Sequence, residues 1–168
     1  MDQISSSACY NPKKKFAGFN STKELHNAIK LYLVSALFPE DSEPYYTYGN
    51  ISEWDVSRVN DMSYMFPQNF TSDVSKWDVS NVGKKVSTFA GLKVPLNISA
   101  WNVSKVQDMS RMFYGSNVKS KVGDWDVSNV KLMEFTFYQS KLNTDISKWN
   151  VSNVEKMRYM FKGCTRVK

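Results

Sequence analysis

Apolar residues recur at a fixed interval along residues 50–168. The chain's five tryptophans, Trp54, Trp77, Trp101, Trp125 and Trp149, stand 23, 24, 24 and 24 residues apart. Each has a valine two residues later (Val56, Val79, Val103, Val127, Val151) and a phenylalanine twelve residues later (Phe66, Phe89, Phe113, Phe137, Phe161). A period in the twenties predicts one supersecondary unit per repeat, stacked on its neighbours. Tryptophan and valine share one side of a period-2 segment, which predicts a short strand. The spacing then changes: Val59, Met62 and Phe66, like Val106, Met109 and Phe113, stand at i, i+3 and i+7, the apolar face of a short helix. A serine three after each tryptophan sits where an N-cap belongs, and Ser152–Glu155 completes a capping box. The pattern therefore predicts an α/β repeat, a short right-handed leucine-rich-repeat-like solenoid of about five strand–turn–helix rungs, with strands paired in parallel at ~4.8 Å.

Ahead of the repeats, Ser21-Thr22-Lys23-Glu24 is a second capping box. It predicts a helix with Leu25, Ile29, Tyr32 and Leu33 on one face, ended by Pro39. Such a helix suits the N-terminal cap of a solenoid. The expected organisation is a polar arm over 1–20, a capping helix and lead-in over 21–49, and a five-rung body over 50–168.

No apolar run approaches the ~20 residues of a membrane-spanning helix. The first seven residues have neither a basic nor an apolar region, so no Sec-type signal is expected. That favours an intracellular, processed organellar or virion-associated protein over a classically secreted one. Net charge is +6, unevenly spread: residues 39–78 sum to −6 and residues 79–121 to +6, and Lys156–Lys168 holds five basic residues and no acidic one. A basic end favours an anionic partner. Lysines such as Lys84, Lys119 and Lys131 occupy different rung positions, so no regular stripe tracks a phosphate backbone and nucleic acid is disfavoured.

Catalytic chemistry finds little support. His26 is the only histidine, which excludes a His-based triad or a multi-His metal site. The seven glycines form no phosphate loop, and the two cysteines, Cys9 and Cys164, make no C-x-x-C pair. The Asp/Asn ladder after the tryptophans (Asp55, Asp78, Asn102, Asp126, Asn150) fits turn chemistry better than calcium. No cofactor or metal is expected. Tryptophans at a strictly periodic position beside valines read as stacked core, each indole N–H with a local acceptor.

The phrase Ile146-Ser147-Lys148-Trp149-Asn150-Val151-Ser152-Asn153-Val154-Glu155-Lys156-Met157-Arg158-Tyr159-Met160-Phe161-Lys162-Gly163-Cys164 closely resembles the BspA-like leucine-rich-repeat surface protein family. The resemblance covers about 140 of the 168 residues. It implies a curved solenoid used in adhesion or protein interaction, and it offers no catalytic residues. Members commonly carry secretion or anchoring signals, which this sequence does not show. The second rung departs from the pattern with Lys85 where methionine is expected, which predicts a distorted helix there.

On a helical reading, the position ten after the tryptophan faces away from the core. It holds Tyr64, Ser87, Arg111, Phe135 and Tyr159. Phe135 with Leu132 and Tyr138 is the best exposed apolar patch, and exposed patches mark interaction sites. Tyr159, Lys162, Arg166 and Lys168 join it as candidate partner contacts at the basic end. The expected function is a non-enzymatic repeat protein, a protein-interaction or structural subunit whose partner has an acidic surface. The alternative is a cell-surface adhesin or glycan-binding protein.

Overall fold

The computed structural model describes residues 18–35, 48–117, 119–141 and 143–164. The arm over 1–17, the helix stop at Pro39 and the C-terminal Arg166 and Lys168 lie outside these residues.

Helix α1 runs Thr22–Ser35. At its start Glu24 N–H donates to Ser21 Oγ at 3.2 Å while the Glu24 carboxylate accepts from Asn20 N–H at 3.0 Å. That reciprocal pair satisfies backbone donors that the helix itself leaves open. Leu25, Ala28 and Ile29 are buried on the inner face. Tyr32 meets the Trp54 ring edge-on at 5.8 Å, and Phe19 and Tyr48 pack on the same indole at 5.0 and 5.6 Å. Thr22 Oγ1 donates to the Asp61 carbonyl at 2.7 Å, tying α1 to the first repeat.

Beyond a 3-10 turn at Ile51–Glu53, the repeats contain neither a helix nor a strand among the described residues. This overturns the expected α/β leucine-rich-repeat-like solenoid of strand–turn–helix rungs. Strand pairing is reduced to four isolated parallel bridges, Asp61 to Lys84, Lys84 to Asp108, Asp108 to Leu132 and Leu132 to Lys156, one per pair of repeats. Each repeat is instead a layer of turns, hydrogen-bonded to its neighbouring layers.

The third layer shows why the helix does not form. From Met109 to Gly115 every second N–H donates out of its layer: Met109 to Leu132 O, Arg111 to Glu134 O, Phe113 to Thr136 O and Gly115 to Tyr138 O, all at 2.8–2.9 Å. The intervening Met112, Tyr114 and Ser116 donate three residues back, to Met109, Arg111 and Phe113. No donor follows the i−4 rule that defines an α-helix. Apolar residues at i, i+3 and i+7 thus belong to a ribbon whose amides point alternately along and across the stack. The residue ten after each tryptophan has φ between 53° and 56°, a left-handed conformation that no α-helix contains.

The serine expected as an N-cap serves a different turn. Its N–H donates to the Asp or Asn two residues earlier: Ser57 to Asp55, Ser80 to Asp78, Ser104 to Asn102 and Ser128 to Asp126 at 3.0 Å, and Ser152 to Asn150 at 3.1 Å. These Asx turns hold Asp78 and Asp126 below the usual carboxylate range through the bonds from Ser80 and Ser128. Serine and asparagine compete with helix for the backbone here, and the turn wins.

Aromatic columns run through the stack. Phe66, Phe89, Phe113, Phe137 and Phe161 lie ring over ring at 5.3–5.7 Å, with neighbouring planes within 13°. Every tryptophan is buried. Each indole from Trp77 onward donates to a carbonyl of the preceding layer: Ile51, Val74, Ser99 and Val122. The indoles add large apolar area without leaving a buried donor unmatched.

Candidate functional site

Position ten after the tryptophan has a left-handed backbone in every layer and does not lie on a helix, and its exposure differs from layer to layer. Tyr64 and Tyr159 are exposed there, Phe135 is half-buried, and Ser87 is buried. Position thirteen lies beside it and holds Tyr114 and Tyr138 in the third and fourth layers.

Stacking brings these positions together into one strip. Tyr114 lies over Tyr138 at 4.9 Å with planes 8° apart. Phe135 meets Tyr138 at 5.7 Å and Tyr159 at 5.4 Å. Cations sit on the rings: the Arg111 guanidinium is 5.1 Å from the Phe135 centroid, Arg158 is 4.6 Å and Lys162 Nζ 5.1 Å from Tyr159. Arg158 Nη2 also donates to the Tyr159 hydroxyl at 3.1 Å. That bond, with the charges of Arg158 and Lys162, lowers the Tyr159 phenol below its ordinary value. Three layers therefore contribute four aromatic rings and three cations to one face.

Of the candidates read from the sequence, Phe135, Tyr138, Tyr159 and Lys162 come together here. Leu132 does not join the rings. It occupies the bridge position between Asp108 and Lys156 and is half-buried. Arg166 and Lys168 fall outside the described residues. Sequence reasoning missed Tyr114, which looked like part of a glycine loop, and it did not assign Arg111 or Arg158 to the site. Their positions thirteen, ten and nine after the tryptophan, respectively, were the available signal.

Other polar side chains are engaged in structure. Asn81, Asn129 and Asn153 each donate from Nδ2 to a serine carbonyl one layer back at 2.7–2.8 Å. Asp124 pairs with Lys148 at 3.2 Å, and Glu155 with Lys131 at 3.9 Å, both on the surface. Cys164 is a free, half-buried thiol whose Sγ lies 3.4 Å from the Ser140 carbonyl. Among the described residues no group of three or more His, Cys, Asp or Glu is placed to hold a metal, and no helix is long and apolar enough to cross a membrane.

The expected distortion at the second layer takes another form. Lys85 replaces the methionine of the other layers and is fully buried, with no hydrogen-bond partner for Nζ. The ammonium lies 5.5 Å from the Trp101 ring centroid. Burial pushes its pKa down to about 7, against a smaller opposing pull from Asp61.

Residues 13–117 and again 84–168 match the model of a family described as Mycoplasma protein of unknown function, DUF285. No curated protein and no solved structure matches the chain.

Proposed function

The chain belongs to the DUF285 family, and we propose that it is a non-enzymatic, BspA-like member that binds a protein partner through the aromatic and basic strip. The observation that carries this reading is the set of cations over rings: Arg111 on Phe135, and Arg158 with Lys162 on Tyr159. Rigid rings supply contact area at low entropic cost, and guanidinium groups supply directional donors for carboxylates. The partner surface is therefore acidic, with apolar groups that reach between the cations. Catalysis is not part of the proposal, because the repeated Asp and Asn side chains are held in turns.

The test uses the full chain and poly-L-glutamate as the acidic probe. The wild type should bind it with an affinity that falls as salt rises. The double variant Arg111→Ser with Phe135→Ser should lose about tenfold or more in affinity, since interface anchors of this kind are worth roughly 1–3 kcal/mol together. Its melting temperature should change little. Unchanged binding with unchanged folding would refute the strip. The parallel pair of exposed Tyr114 and half-buried Tyr138 also suits a sugar ring. Salt-independent binding to a neutral polysaccharide, lost in Tyr114→Ser, would favour the adhesin or glycan-binding alternative.

A further inference from the structure

The junction between the first and second layers is built differently from the other three. Lys85, Ser87, Phe89 and Gly91 of the second layer donate to the third-layer carbonyls of Asp108, Ser110, Met112 and Tyr114 at 2.7–3.0 Å. The third and fourth layers repeat that row of four bonds, at positions eight, ten, twelve and fourteen after the tryptophan. The first layer makes half of it. Met62 and Tyr64 donate to Lys84 and Val86 at 2.9 Å, and among the described residues neither Phe66 nor Gln68 donates to a second-layer carbonyl. Other bonds across this junction, such as Gly83 N–H to Asn60 O, have counterparts further along, such as Gln107 N–H to Gly83 O.

Pro67 accounts for the break. At the same position Ala90, Tyr114, Tyr138 and Lys162 each donate three residues back and so turn the ribbon. Proline has no N–H to do this. Pro67 instead starts a turn of its own, in which its carbonyl accepts from Phe70 N–H at 3.0 Å. The short spacing of 23 residues, from Trp54 to Trp77, falls in this same layer.

The second layer adds a buried charge to the weakened junction. Lys85 is fully buried and its Nζ has no hydrogen-bond partner, and the same position holds Met62 and Met109 in the flanking layers. An ammonium in such an interior gains free energy from any opening that wets it. Asp61 of the first layer pulls against this. Its carboxylate, however, accepts from Ser63 N–H at 2.8 Å, and that of third-layer Asp108 accepts from Ser110 N–H at 2.9 Å. Lys84, beside Lys85 in its own layer, is exposed. On the far side of the junction the first layer is tied to the segment before it. Thr22 Oγ1 donates to Asp61 O at 2.7 Å, Arg58 Nη1 to Asn20 Oδ1 at 2.7 Å and Phe19 N–H to Asp55 O at 2.9 Å.

We propose that α1 and the first layer form a lid that opens at this junction as one unit, admitting water to Lys85 while the third to fifth layers stay stacked. Opening uncovers the Phe89 ring, which Phe66 covers at 5.3 Å in the closed state. The strip lies in the third to fifth layers, so the lid does not depend on what the strip binds.

Amide hydrogen exchange on the full chain tests the lid, read as protection relative to each amide's intrinsic rate. Met62 and Tyr64 should be at least about tenfold less protected than Met109 and Arg111, their counterparts in the third layer. Val59 donates inside the first layer, to Val56 O at 2.9 Å, and should keep its protection. Lys85→Met restores the residue of the other layers and should raise protection at Met62 and Tyr64 at least about tenfold at neutral pH. In the wild type, protection at these two amides should climb with pH above neutral, because the open state holds a proton that the closed state releases. In Lys85→Met that climb should vanish. Equal protection in the first and third layers would overturn the lid, as would protection at Met62 and Tyr64 that ignores Lys85→Met. Loss of Val59 protection together with Met62 would show the layer melting instead of opening, and would overturn it too.

Discussion

The indole nitrogen of Trp101 donates to the carbonyl of Val74 at 3.0 Å, reaching back 27 residues and one layer. Both residues are buried, so the bond is shielded from water, and the same carbonyl also accepts from Trp77 N–H at 3.1 Å. Trp101→Phe removes it and part of the ring that packs on Phe89 at 5.4 Å. The variant should lose roughly 1–3 kcal/mol, combining a lost buried hydrogen bond with a partly filled cavity. Denaturant unfolding measures this. A loss near zero would mean that the indole bond does not help fix the layer.

Lys85 and Trp101 meet in the same interior, and the lysine makes stability depend on pH. Its pKa falls from 10.5 to about 7 in the fold. Between those values the unfolded chain binds a proton that the native state does not, so stability rises with pH across this window. Lys85→Met restores the residue of the other layers. The variant should be more stable by roughly 2–4 kcal/mol below the folded pKa, with the gain shrinking as pH rises toward the unfolded value. Parallel stability curves for the two proteins would show that the ammonium is not desolvated.

Gly123 marks a close approach between backbone segments. A Cβ built there would lie 2.0 Å from the Asp145 carbonyl oxygen, so one segment must move to admit it. Gly123→Ala should cost roughly 2–4 kcal/mol. Gly115, with φ of 59° and open space around it, should lose only about 1 kcal/mol as alanine. Equal losses at the two sites would contradict the contact at Asp145.

Tyr64 is 64 % exposed and held at φ of 56°. Asparagine tolerates that conformation better than tyrosine. Tyr64→Asn should raise stability by about 0.5–1 kcal/mol in thermal unfolding, and a loss of similar size would show that the ring packs on something it needs.

Much of this arrangement was legible in the residues. The 23- and 24-residue spacing of the tryptophans announced stacked layers, and valine beside them announced an inward side. The Asp and Asn residues read correctly as turn acceptors. The expected strands and helices were wrong for one shared reason. Spacings of two, three and seven describe which side chains point inward, and several backbones satisfy them. From Met109 to Ser116 alternate amides bond across and within the layer, so the apolar face is helix-like while the hydrogen bonds are not. Nothing in the pattern revealed the left-handed residues, because tyrosine, arginine and phenylalanine rarely adopt that conformation. Part of the strip was visible for the same reason that the period was: Phe135 and Tyr159 share a repeat position. Tyr114 escaped because stacking, not sequence proximity, places it over Tyr138.

Scalar couplings across hydrogen bonds measure the layer-to-layer register directly in solution. The bond from Phe113 N–H to the Thr136 carbonyl, 2.9 Å long, and its neighbour from Arg111 to Glu134 join the two layers that carry Tyr114 and Tyr138. The account predicts couplings across both pairs and none from Phe113 N–H to Met109, its i−4 partner in a helix. Coupling to Met109 in place of Thr136 would contradict it.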